Sequence, residues 1–80
     1  MRIRLRLVDV ADFLGITEAF KSDINIRSVN NGVIVDAKSI MSVLGLDLGN
    51  PLHIEINSFD EIELESFKTK MRKYEVADGN

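Results

Sequence analysis

The sequence has no cysteine, no tryptophan, one proline, one histidine and one tyrosine among its 80 residues. Without cysteine there is no disulfide, no thiolate-bound zinc or iron–sulfur centre and no thiol nucleophile, and a domain without such staples suits a reducing compartment. A cytoplasmic location is expected. The single histidine, His53, does not make a metal site alone, so neither a metal nor another cofactor is expected. Long apolar runs are missing as well, and residues 1–6 alternate arginine with apolar side chains instead of offering a signal peptide. Basic charge is outnumbered, with ten Lys and Arg against thirteen Asp and Glu, and the net charge of −3 repels phosphate backbones and anionic lipid. Nucleic acid and membrane are not expected partners. Paired carboxylates in a motif, a nucleophile with its base and a glycine-rich phosphate loop are also lacking, which speaks against an enzyme.

What remains is 45% hydrophobic and 29% charged, enough apolar material to fold and too much charge to enter a bilayer. A second core would need roughly fifty residues of its own. One domain over residues 1–75 is expected, with 76–80 as a frayed tail.

Local patterns give the element order. Arg2, Ile3, Arg4, Leu5, Arg6 and Leu7 alternate strictly, which predicts a strand with Ile3, Leu5 and Leu7 on the core face and three arginines on the wet one. Asp9 to Asp12 then resembles a capped start to a helix over about residues 9–21, whose Val10, Phe13, Leu14, Thr17 and Phe20 share one side. Gly15 costs that helix about 1 kcal/mol relative to Ala, which suggests close packing on the sheet. Alternation from Ile24 to Arg27, the turn residues Asn30, Asn31 and Gly32, and extended Val33, Ile34 and Val35 make a hairpin. Ser39 as N-cap and Gly45 beyond the last turn bound a short helix. Residues 52–57 alternate again and send His53, Glu55 and Asn57 to the wet face. In the last helix Asp60 is the N-cap, Glu63 the capping-box acid, and Phe59 with Leu64 the hydrophobic staple. Leu64, Phe67, Met71 and Tyr74 follow as an apolar stripe. The resulting β-α-β-β-α-β-α order is an α+β, open-faced β-sandwich: a four-stranded antiparallel sheet with three helices on one face.

The stretch Val35-Asp36-Ala37-Lys38-Ser39-Ile40-Met41-Ser42-Val43-Leu44, followed by a loop and an alternating strand, resembles the regulatory-serine segment of HPr. HPr is the histidine-containing phosphocarrier family of the phosphoenolpyruvate-dependent sugar phosphotransferase system. Phe20-Lys21-Ser22-Asp23-Ile24-Asn25-Ile26 is similar to the family too, and the element order matches over nearly the whole chain. The resemblance implies an HPr-like fold, with Ser39 at the position that a dedicated serine kinase modifies. It also implies that Lys38, Ile40, Met41 and Leu44 lie on a docking patch for phosphotransferase components or a transcription regulator. A phosphate on Ser39 would face the backbone N–H groups of Ile40, Met41 and Ser42. Of the apolar residues in this short helix, Ile40 and Leu44 are expected to pack inward, with Met41 and Val43 outward.

The family's carrier loop departs most. Members bear a Gly-Leu-His-Ala-Arg-Pro-like motif between the first strand and first helix, where this sequence passes through Leu7, Val8, Asp9 and Val10 without His, Arg or Pro. No position inherits the phosphoacceptor, and Asp9 at the helix start would repel an incoming phosphate. Two functional classes follow. One is a non-catalytic HPr-like regulatory or adaptor protein read through Ser39 and the Met41 patch. The other is a protein-binding module that retains only the fold and meets an unrelated partner through Arg2, Arg4, Arg6, His53 and Glu55 on the open sheet face.

Overall fold

Alternation of apolar and polar side chains builds the sheet. Along β2 (Ile24–Ser28), Ile24, Ile26 and Ser28 are buried, and along β4 (Leu52–Ile56) Leu52 and Ile54 are buried, so both strands turn one face inward. β1 (Arg2–Ile3) and β3 (Ile34–Asp36) flank them in the order β1-β4-β2-β3, and every pairing is antiparallel. The structure, a computed structural model, describes residues 1–77. The β2–β3 turn uses Gly32 at φ 74°, a conformation that costs a residue without Cβ little.

β1 is shorter than its alternation suggests. Ile3 and Leu5 are fully buried, but Leu7 is 69% exposed and begins a 3-10 turn over Leu7–Asp9. The cause is local: the Asp9 carboxylate accepts the Arg6 backbone N–H at 2.8 Å and its guanidinium at 3.1 and 3.0 Å, which turns the chain before Leu7 can reach the core. The outer side of β1 is covered by the end of the chain. Arg4 donates its N–H to the Tyr74 carbonyl at 2.9 Å and Val76 donates to Arg2 at 3.0 Å. Val76 opens the expected tail; residues 78–80 of that tail lie outside the described residues.

α1 (Val10–Glu18) buries Val10, Phe13, Leu14 and Thr17, and Phe20 follows just past its end. The helix stops before Lys21 because Ala19 and Phe20 bond back three residues, to Ile16 and Thr17, tightening the last turn. Two expectations about it are corrected. Asp9 makes no side-chain cap on α1, since its carboxylate is taken by Arg6, and Gly15 is exposed with no atom among the described residues, its own helix backbone and chain neighbours apart, within 4 Å of where a Cβ would stand. Gly15 therefore mediates no close approach to the sheet.

α2 (Ile40–Leu44) runs from the Ser39 N-cap to Gly45, which closes it in the ordinary right-handed conformation, at φ −82°. α3 (Glu61–Met71) starts at Asp60, whose carboxylate accepts the Ile62 N–H at 2.9 Å, and continues into a 3-10 turn over Arg72–Tyr74. Edge-to-face ring pairs, Phe13 with Tyr74 and Phe20 with Phe67, lock α1 to the last helix and its turn above the sheet. The three helices cover one face, as the element order implies.

The start of α3 differs from the capping-box expectation. Glu63 does not reach back to Asp60; the Ser58 hydroxyl accepts the Asp60 N–H at 3.1 Å instead. Glu63 is drawn to Ser22, accepting its hydroxyl at 2.5 Å and its N–H at 3.3 Å. Nor is there a staple: Phe59 is 99% exposed.

Candidate functional site

Three surfaces bear on function, and the first is the entry to α1. Leu7 and Val8 stand exposed there, and the side chain that follows them is Asp9, held by Arg6. Bonding to the Arg6 guanidinium and N–H keeps the Asp9 carboxyl below the usual carboxylate range. One turn on, Lys73 at 2.7 Å and the Tyr74 hydroxyl both bond Asp12 and lower its carboxyl in the same way. The helix start is thus occupied by the chain's own carboxylates. An anion arriving there would meet two negative charges already paired.

The second surface is α2. Ser39 adopts an extended backbone (φ −99°, ψ 113°), and its hydroxyl accepts the Ser42 N–H at a long 3.4 Å. Ile40, Met41 and Leu44 are exposed, Met41 most of all at 79%, whereas Val43 is fully buried. The inward expectation for Ile40 and Leu44 and the outward one for Val43 are therefore corrected. With only five residues, α2 seats a single side chain in the core, and Val43 takes that place. Ile40, Met41 and Leu44 are left as one apolar patch beside Ser39. Lys38 is less available than its neighbours. Its ammonium is bonded to the Phe20 carbonyl at 2.6 Å and its N–H to the Asp36 carboxylate at 2.9 Å, so it ties α2 to the end of α1.

The third surface is the open face of the sheet. Strand register sets Arg2 opposite His53, His53 opposite Arg27, and Arg27 opposite Ile34, one row across four strands. His53 Nε2 lies 3.0 Å from Glu55, on the face turned away from the helices. Arg4 and Arg6, expected on this face, are not with them. They border an open cleft of about 480 Å³ with Asp9, Asp12, Lys73 and Tyr74, because the chain leaves the sheet after Ile3. Sequence reasoning missed Arg27, whose wet parity in β2 is visible but whose neighbours depend on the strand order. It also missed the Asp12–Tyr74 pair, which has no local signature. Among the described residues there is no cluster of three or more His, Asp or Glu arranged to hold a metal, and no helix long and apolar enough to cross a membrane.

Comparison with known proteins agrees with this architecture. The structure superposes on the phosphocarrier protein HPr of Bacillus anthracis str. Ames with a TM-score of 0.74 and 24% identity, covering 94% of each chain. It also superposes on Crh, the catabolite repression containing protein of Bacillus subtilis, crystallised as a domain-swapped dimer. That match has a TM-score of 0.64 and 22% identity over 96% of this chain and 90% of Crh. At these identities both likenesses speak for the fold alone. No curated protein sequence matches. The model of the PTS HPr component phosphorylation site family, however, matches residues 9–69, most of the chain, and the protein belongs to that family.

Proposed function

We propose that this protein is a non-catalytic HPr-type regulatory or adaptor protein that carries no phosphohistidine, docks its partners through Ile40, Met41 and Leu44, and is controlled by phosphorylation of Ser39. The observation that carries the reading is the apolar patch beside Ser39. A five-residue helix that buries only Val43 and exposes three large apolar residues next to a half-buried hydroxyl is suited to recognition more than to packing. The α1 entry supports the other half. Its residues are Leu, Val and Asp, the Asp is paired with Arg6, and the one histidine lies across the sheet on β4.

Phosphorylation would add close to two negative charges next to the patch and thereby change which partners it accepts. Binding partners would be phosphotransferase components, a serine kinase or a transcription regulator, all reached in the cytoplasm. Two incubations test the proposal. With HPr kinase and ATP, mass spectrometry should find one phosphate on Ser39 and none on Ser39→Ala. With phosphoenolpyruvate and enzyme I, no acid-labile phosphate should form on His53. An unmodified Ser39 removes the regulatory half, and an acid-labile phosphohistidine removes the non-carrier half.

A further inference from the structure

Thr17 is the polar member of the buried side of α1, whose other buried residues are Val10, Phe13 and Leu14. Its hydroxyl lies 3.2 Å from the Leu14 carbonyl, the ordinary back-bond within a helix, and 2.9 Å from the carbonyl of Ala37, well beyond the helix. A hydroxyl has a single proton to give, and Ala37 is the nearer acceptor. Ala37 is fully buried, and among the described residues no backbone N–H reaches its carbonyl. Thr17 is therefore the partner that keeps this carbonyl satisfied.

Ala37 stands on the short link from β3 to α2, two residues before Ser39. The rest of that link is held as well. The Ala37 N–H donates to the Ile24 carbonyl at 2.9 Å, the Lys38 N–H to the Asp36 carboxylate at 2.9 Å and the Ser39 N–H to the Asp36 carbonyl at 3.2 Å. The half-buried Ser39 hydroxyl, by contrast, has only the long 3.4 Å contact with the Ser42 N–H. A loosely held hydroxyl on a pinned backbone presents a nucleophile well: the chain is already ordered, and the reacting atom can still turn toward an incoming group.

We propose that Thr17 is a positioning residue for phosphorylation of Ser39, acting through the Ala37 carbonyl; this rests on the reading of Ser39 as the phosphorylated residue. In the transfer the Ser39 oxygen forms a bond to the γ-phosphorus of ATP and the bond from that phosphorus to the β–γ bridging oxygen breaks. ADP leaves with the electron pair, and the hydroxyl proton passes to a base on the kinase. Thr17 touches none of these atoms. It fixes the backbone from which the hydroxyl swings, whereas the apolar patch of α2 is anchored by Val43 in the core. Loss of the Thr17 hydroxyl therefore slows the transfer more than it weakens docking.

Steady-state kinetics of the full chain with HPr kinase and ATP test it, at a temperature where melts show every variant folded. Thr17→Val keeps the shape of the side chain and leaves the Ala37 carbonyl unpaired. Its kcat should fall by about tenfold while KM changes by less than about threefold. Thr17→Ser returns the hydroxyl and should recover most of the loss. Ile3→Val deletes one buried methyl on β1, at the far edge of the sheet from β3, and lowers stability without touching the link, so both constants should stay at wild-type values. A wild-type kcat in Thr17→Val, a loss confined to KM, no recovery with Thr17→Ser or an equal loss in Ile3→Val each overturns the proposal alone. A wild-type chain that takes no phosphate is a different failure, since it removes the reading of Ser39 and this proposal with it.

Discussion

The Tyr74 hydroxyl donates a hydrogen bond to the Asp12 carboxylate, joining the turn after α3 to the first turn of α1. Lys73 reaches the same carboxylate at 2.7 Å and also lies over the Tyr74 ring. With Arg6 on Asp9 one turn earlier, the end of the chain and the entry to α1 form one clasp. The clasp leaves the helix start to the protein's own side chains.

Tyr74 is the only tyrosine and there is no tryptophan, so its phenolate absorbance can be followed alone. Burial, and then the bond and charge of Asp12, push its ionisation above the ordinary value. The fold favours the neutral phenol; the associated stability is complete below about pH 10 and is lost as pH rises further. Spectrophotometric titration should therefore show little phenolate at about pH 10 while circular dichroism stays native, and ionisation should accompany alkaline unfolding. Asp12→Asn should move it to lower pH. An ordinary tyrosine titration in the native protein would contradict the assignment.

Gly15 sits in the middle of α1, exposed, with nothing near its missing Cβ. Alanine there reduces the freedom of the unfolded chain and meets no atom in the folded one. Gly15→Ala should stabilise the protein by about 1 kcal/mol, read as a higher urea midpoint at unchanged slope.

Ser28 is fully buried at the end of β2, and its hydroxyl has no hydrogen-bond partner among the described residues. Its backbone is well satisfied, donating to Val33 at 2.9 Å and accepting Gly32 at 2.8 Å, so the side chain alone is at issue. Removing a buried, unpaired hydroxyl removes its desolvation penalty. Ser28→Ala should gain about 1 kcal/mol in chemical denaturation, where a loss would show that the hydroxyl is used.

How far these features were legible in the sequence depended on the range of the interactions that set them. The hairpin, β4 and the buried side of α1 follow from short-range periodicity, and Val10, Phe13, Leu14, Thr17 and Phe20 all lie where their spacing puts them. Ser39 was legible as an N-cap for the same reason. At Leu7 two local signals compete, alternation and an Arg6–Asp9 pair, and the pair prevails. α2 is too short for periodicity to fix its phase, so its inward residue is Val43 instead of Ile40 or Leu44. Glu63 departs from its capping-box pattern because it is claimed by Ser22, a contact between distant parts of the chain that no short motif contains. The row of Arg2, His53 and Arg27 likewise exists only once the order β1-β4-β2 is known.

The Glu63–Ser22 bond gives the last prediction. Glu63 sits in the first turn of α3 and Ser22 at the junction of α1 and β2, so the carboxylate holds two elements together. The Ser22 hydroxyl first, the Ser58 hydroxyl next and nearby backbone N–H groups lower its ionisation below the ordinary glutamate value. Asp9 and Asp12 are lowered by their own partners. For a carboxylate lowered in the fold, the unfolded chain binds the proton more readily. The stability is therefore complete above the unfolded value, about pH 4, and is lost as pH falls through the lower folded one. Thermal melts should show a plateau near neutrality and a falling midpoint below about pH 4. Glu63→Gln should start lower near neutrality and fall less steeply on the acid side, since it has one fewer carboxylate to protonate. An acid limb of Glu63→Gln that runs parallel to the wild type would show that this carboxylate does not contribute to it.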